Sequence, residues 1–104
     1  MWLSNSCKWT IPFPAPWGSE MAEEYSGLAR TIADVPGLIC KVWTENPETG
    51  EAGGIYLFED EASLDSYLEG KIERMKASGI EVRARKFEVN ERLTQITRGR
   101  ISNE

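Results

Sequence analysis

The segment from Leu38 to Phe58 leaves the chain one local structure, a β-hairpin, around which everything else must be arranged. Leu38 to Glu45 is dense in β-branched and aromatic residues, and Gly54 to Phe58 resumes an extended pattern. Between them, Asn46-Pro47 and Thr49-Gly50 supply turn chemistry, because Pro fixes its own φ and Asn and Gly tolerate the backbone angles of a tight reversal.

The flanking segments read as strands and helices in alternation. Cys7, Trp9, Ile11 and Phe13 alternate with Lys8, Thr10 and Pro12, the period of a strand. Pro12, Pro14 and Pro16 cannot donate to a ladder, so the chain leaves the sheet by Ala15. Met21, Tyr25, Leu28 and Ile32 then recur at helical spacing behind Ser19, which is placed to cap the helix, and Pro36-Gly37 ends it. After the hairpin, Asp60 is placed to cap a second helix with the stripe Leu64, Tyr67, Leu68, Ile72 and Met75, closed by Gly79 in a left-handed conformation. Ile80 to Val89 alternates again, with Val82 and Ala84 on one face and Arg83, Arg85 and Phe87 on the other. A short turn of helix fits Glu91 to Ile96.

This order, βαββαβ, predicts an α+β fold of the ferredoxin-like type with an antiparallel four-stranded sheet, in one domain over residues 1–104. Both helices must lie on one face of the sheet. The other face has no lid within so short a chain, which predicts a homodimer, sheet against sheet, with tail 91–104 placed to contact the partner subunit.

Composition removes several functions. A net charge of −5 argues against nucleic-acid binding, since phosphate neutralisation needs a surplus of Lys and Arg. The charge is uneven: Arg83, Arg85, Lys86, Arg92, Arg98 and Arg100 crowd the last quarter, while Glu45 to Glu73 is acidic. That pattern suits a solvated surface, an anion site or complementary pairing across a dimer. There is no histidine, which excludes Ser-His-Asp and Cys-His catalysis and His-ligated metal or haem within the chain. Glu59-Asp60-Glu61 reads as a helix start, so no metal site is expected. Cys7 and Cys40 lack CxxC spacing and read as half-buried strand thiols. The first ten residues carry no apolar run of signal length, and no run of about 18 apolar residues occurs, so a cytoplasmic protein without membrane contact is expected.

Alternation divides each strand into two sets of residues. The more uniformly apolar set, Leu38, Cys40, Val42, Ile55, Leu57, Val82 and Ala84, is expected to meet the helices. The other set then gathers Thr10, Lys41, Trp43, Tyr56, Phe58, Arg85 and Phe87 on the second face as a candidate substrate-binding surface. Large aromatics with a few orienting polar groups suit a small-molecule cavity and equally a dimer interface. Trp43 can stack on an aromatic ligand, Tyr56 can exchange a proton with it, and Arg85 or Lys41 can stabilise an enolate or phenolate, so Trp43, Tyr56 and Arg85 are the candidates for catalysis.

The wording Lys41-Val-Trp-Thr-Glu45 followed by Glu51-Ala-Gly-Gly-Ile-Tyr-Leu-Phe58 resembles the YdhR family of putative monooxygenases. The likeness extends through Pro16-Trp17-Gly18, Met21-Ala22-Glu23, Pro36-Gly37 and Phe87-Glu88-Val89-Asn90-Glu91. It implies a dimeric α+β barrel. It also implies oxidation of a small aromatic or polycyclic compound by molecular oxygen, with no metal, flavin or other cofactor, the substrate supplying the electrons. The same scaffold would serve a non-catalytic small-molecule-binding dimer, or an isomerase or lyase using Tyr56 or a carboxylate.

Overall fold

The alternating residues near the N-terminus form one of the two central strands of the sheet. In the computed structural model, which describes residues 5–101, the elements run β1 (Ser6–Pro12), α1 (Gly18–Ala33), β2 (Leu38–Asn46), β3 (Glu51–Phe58), α2 (Glu61–Ala77), β4 (Arg83–Phe87) and α3 (Glu91–Ile96). The four strands are antiparallel in the order β2-β3-β1-β4, the ferredoxin-like arrangement. The domain and tail expected over 1–104 and 91–104 run past the described residues.

Turn chemistry sets the hairpin. The Asn46 side-chain oxygen accepts from the N–H groups of Glu48 and Thr49 at 3.1 and 3.4 Å, and Gly50, at φ +71°, returns its N–H to the Asn46 carbonyl at 2.9 Å. Asp60 caps α2 by accepting from the Ser63 N–H at 2.8 Å, a bond that also holds its carboxyl below the usual carboxylate range. Gly79 follows the end of α2 at φ +77°. At α1 the cap differs from the expectation. The helix begins at Gly18, so Ser19 lies inside its first turn, and the Glu45 carboxylate on β2 takes the Gly18 N–H at 2.8 Å instead.

The core lies between the helices and one face of the sheet. Cys7, Trp9, Tyr56 and Phe58 from the strands pack with Ile32 of α1 and with Leu64 and Leu68 of α2. Cys7 is fully buried, which pushes its thiol pKa up, whereas Cys40 is exposed, so only one of the two thiols is enclosed.

This packing reverses the faces expected for β2 and β3. The β2 alternation breaks at Ile39, where the register shifts between Leu38 and Cys40. Leu38 still faces the core, but the extra residue turns Cys40 and Val42 outward and brings Lys41 and Trp43 under the helices. In β3, Tyr56 and Phe58 are fully buried while Ile55 is exposed, because the larger rings fill the space beneath α2. In β4, Lys86 is in phase with Ala84 and falls on the helix side, where its ammonium reaches Asp65 at 2.6 Å and Glu61 at 3.3 Å on α2.

The opposite sheet face carries no helix among the described residues. Register places Lys8, Ile55, Val42 and Arg85 in one row there, with Thr10 and Arg83 in the next and Phe87 beside Ser6. Among the described residues, no helix is long and apolar enough to cross a membrane.

Candidate functional site

A missing side chain makes the site. Register sets Trp43, Gly54, Trp9 and Ala84 in one row across the helix-facing side of the sheet, and Lys41, Tyr56, Cys7 and Lys86 in the next. Gly54 leaves a gap between the two indoles, and the Lys41 chain leans into it. A Cβ at Gly54 would stand 2.6 Å from Lys41 Cε and 3.1 Å from Tyr56 Cε1, so only glycine leaves that path open. The Lys41 ammonium ends 3.4 Å from the centroid of Trp43, 4.8 Å from that of Tyr56 and 5.5 Å from that of Trp9. From α2, the Lys71 ammonium approaches the Trp9 ring to 5.8 Å.

Burial decides the protonation states. It lowers the Lys41 pKa to about 7, with the neighbouring Lys71 charge acting in the same direction. The ring faces attract the charged form and offset part of that penalty. The Lys71 pKa is also lowered, by burial and then by Arg74. Burial raises the pKa of both Tyr56 and Tyr67, whose hydroxyls lie 3.3 Å apart, so both remain phenols at neutral pH and can donate. The Trp9 ring stacks beside Tyr56 at a centroid separation of 6.1 Å, but its indole N–H makes no hydrogen bond to the phenol. This N–H is the buried side-chain donor without a partner among the described residues.

The nest adjoins an open groove. Trp43 also lines a hollow of about 400 Å³ between α1 and the edge of β2, with Met21, Tyr25 and Ala29 on its apolar wall and Glu45 at its end. The arrangement combines flat apolar surface, phenolic donors and an amine that exists in both protonation states near pH 7. Such a set can stack an aromatic ring, hold an oxyanion and accept a proton. A larger cleft of about 760 Å³ lies elsewhere, among Asn5, Asp60, Glu61, Glu88 and Asn90, but no aromatic ring lines it.

The residues singled out in the sequence divide between the two sheet faces. Lys41, Trp43, Tyr56 and Phe58 come together under the helices, with Phe58 fully buried behind Tyr56 at a ring separation of 6.4 Å. Thr10, Arg85 and Phe87 lie on the open face, where with Lys8 and Arg83 they line a separate hollow of about 400 Å³. Trp43, Tyr56 and Arg85 therefore do not converge on one cavity. The nest instead includes Trp9, Tyr67 and Lys71, which the alternation and helical spacing marked only as strand and helix positions. Their signals were present: Trp9 alternates in phase with Cys7 and Ile11, and Lys71 interrupts the apolar stripe of α2 beside Ile72.

The family model described as "Putative mono-oxygenase ydhR" matches residues 8–100, which include every element of the nest. No curated protein matches the chain.

Proposed function

The chain belongs to the ydhR family of putative mono-oxygenases, and on that premise we propose that it oxidises a small aromatic or polycyclic compound with molecular oxygen, without a cofactor, in the nest under its helices. The observation that carries the proposal is the Lys41 amine enclosed by Trp9, Trp43 and Tyr56 and adjoining an apolar groove. A planar substrate entering along α1 would stack on Trp43, and the neutral fraction of Lys41 would accept a proton from its hydroxyl or activated methylene. Tyr56 would donate to the oxyanion formed, and the surrounding rings would keep water out. The resulting carbanion or phenolate is electron-rich enough to reduce oxygen. Conversion of an activated CH2 to C=O consumes one O2, leaving one oxygen atom in the product and one in water, so no external reductant enters the balance.

The working unit in this reading is a cytoplasmic homodimer. Val42, Ile55 and Phe87 are 53%, 42% and 50% exposed on the sheet face that no helix covers among the described residues. A second sheet laid on that face would bury them and leave each nest on the outer side, beneath its own helices.

Oxygen-electrode measurements with hydroxylated naphthalenes and anthrones, with and without added reduced flavin, test the proposal. Oxygen uptake that is independent of flavin and lost in Lys41→Met is expected. Binding without oxygen uptake would replace the oxygenase with a sequestering protein.

A further inference from the structure

The nest and its rim hold cations that no carboxylate pairs among the described residues. Lys41 enters from β2, and Lys71 and Arg74 from α2. None of the three has a carboxylate within 4 Å or a side-chain hydrogen bond among the described residues. Lys86, on the same face of the sheet, shows the ordinary arrangement, held by two carboxylates of the same helix. Acidic residues are plentiful, 17 against 12 basic ones, yet among the described residues none lies within ion-pair distance of this cluster. The Trp9 N–H, 5% exposed and without an acceptor, adds a fixed donor in the middle of it. Like charges held together in a half-buried site are unfavourable unless something negative joins them.

We propose that the site receives an anionic arene, an aromatic ring bearing a carboxylate, whose oxygens lie among Lys41, Lys71 and the Trp9 N–H while its ring occupies the groove along Trp43. Arg74, exposed at the rim, draws the anion in. This names the substrate class of the proposed oxygenase and rests on that reading for the identity of the site. It is tested at equilibrium, with no oxidation required, so that failure of one reading does not entail failure of the other.

Bound carboxylate favours the charged lysines, so binding takes up protons near neutral pH. The other titratable groups on the Lys41 side of the sheet are Cys7 of β1, Tyr56 of β3 and Lys86 of β4 in the same row, Glu45 farther along its own strand, Tyr25 of α1 beside Trp43, and Tyr67, Lys71 and Arg74 of α2. Burial keeps Tyr56, Tyr67 and Cys7 protonated, and Asp65 and Glu61 hold Lys86 charged, so Lys41 and Lys71, whose charged forms burial disfavours, are the proton acceptors.

Isothermal titration of the intact protein at pH 7 with 2-naphthoate, 2-naphthamide and 2-naphthol tests the inference. The naphthoate is expected to bind at least tenfold more tightly than the isosteric amide, an advantage lost in Lys41→Met and Lys71→Met. Titration in two buffers of different ionisation enthalpy is expected to show net proton uptake on binding of the naphthoate and none on binding of the amide, as the bound carboxylate draws the lysines into the charged form. Equal affinity for acid and amide, tightest binding of the naphthol, or no binding of the naphthoate at millimolar concentration would each overturn the assignment. The comparison of ligands on the unmodified protein holds even where a lysine variant folds poorly.

Discussion

Replacing Lys41 by Met should make the protein more stable at pH 7 and flatten its response to alkali. In the unfolded chain Lys41 titrates near 10.4, but in the nest near 7, so between these values the unfolded state binds the extra proton. Stability therefore rises with pH across that window and is lowest below it, the reverse of a lysine that gains a salt bridge. Without discount, raising the pH from 7 to 9 would be worth about 2.3 kcal/mol, from about 1.4 kcal/mol per proton and pH unit. Lys41 retains some solvent contact and its ammonium is attracted to three ring faces, so a gain of about 1 kcal/mol is the working figure. Met keeps the unbranched chain over Gly54 and removes the charge. Urea unfolding followed by tryptophan fluorescence at pH 7, 8 and 9 should show the wild type approaching the variant as pH rises. Cys7 also titrates late, because burial raises its pKa, but it contributes equally to both proteins and cancels in the difference. A constant difference between wild type and Lys41→Met across the three pH values, or a less stable variant at pH 7, would refute the claim that burial of the ammonium dominates.

The neighbouring glycines should separate folding from function. Gly54→Ala meets the flexible end of Lys41, so the chain should remain folded while the ammonium is expelled and affinity for the site ligand falls at least tenfold in the same calorimetric titration. Gly53→Ala instead drives its Cβ into the Trp9 carbonyl, backbone that cannot yield, and should cost about 3 kcal/mol or more in urea unfolding. Ile55→Asp, in the middle of the uncovered sheet face, should shift the protein to monomer in sedimentation equilibrium. A wild-type protein already monomeric at tens of micromolar would remove the sheet-to-sheet pairing from the proposal. Exchanging Lys86 for Met should lower stability by less than about 1 kcal/mol, and by still less in 1 M salt, because both of its ion pairs are partly exposed.

The sequence determined the order of elements and most of their ends, because those depend on neighbours along the chain. Asp60 announces α2, Gly79 closes it, Asn46 and Gly50 turn the hairpin, and the spacing of Met21, Tyr25, Leu28 and Ile32 requires a helix wherever it is placed. The resemblance in Lys41 to Phe58 likewise pointed to the family that residues 8–100 match. Which side of the sheet those residues face was decided by tertiary structure. A single extra residue at Ile39 reverses the phase of β2, and the apolar run from Ile55 to Phe58 offers both faces the same chemistry until the volume beneath α2 selects Tyr56 and Phe58. The nest followed from that choice. Trp9, the Lys41–Trp43 pair and Lys71 come from three separate parts of the chain, and only antiparallel register around Gly54 and the packing of α2 bring two indoles and two ammonium groups, neither with a carboxylate partner among the described residues, together.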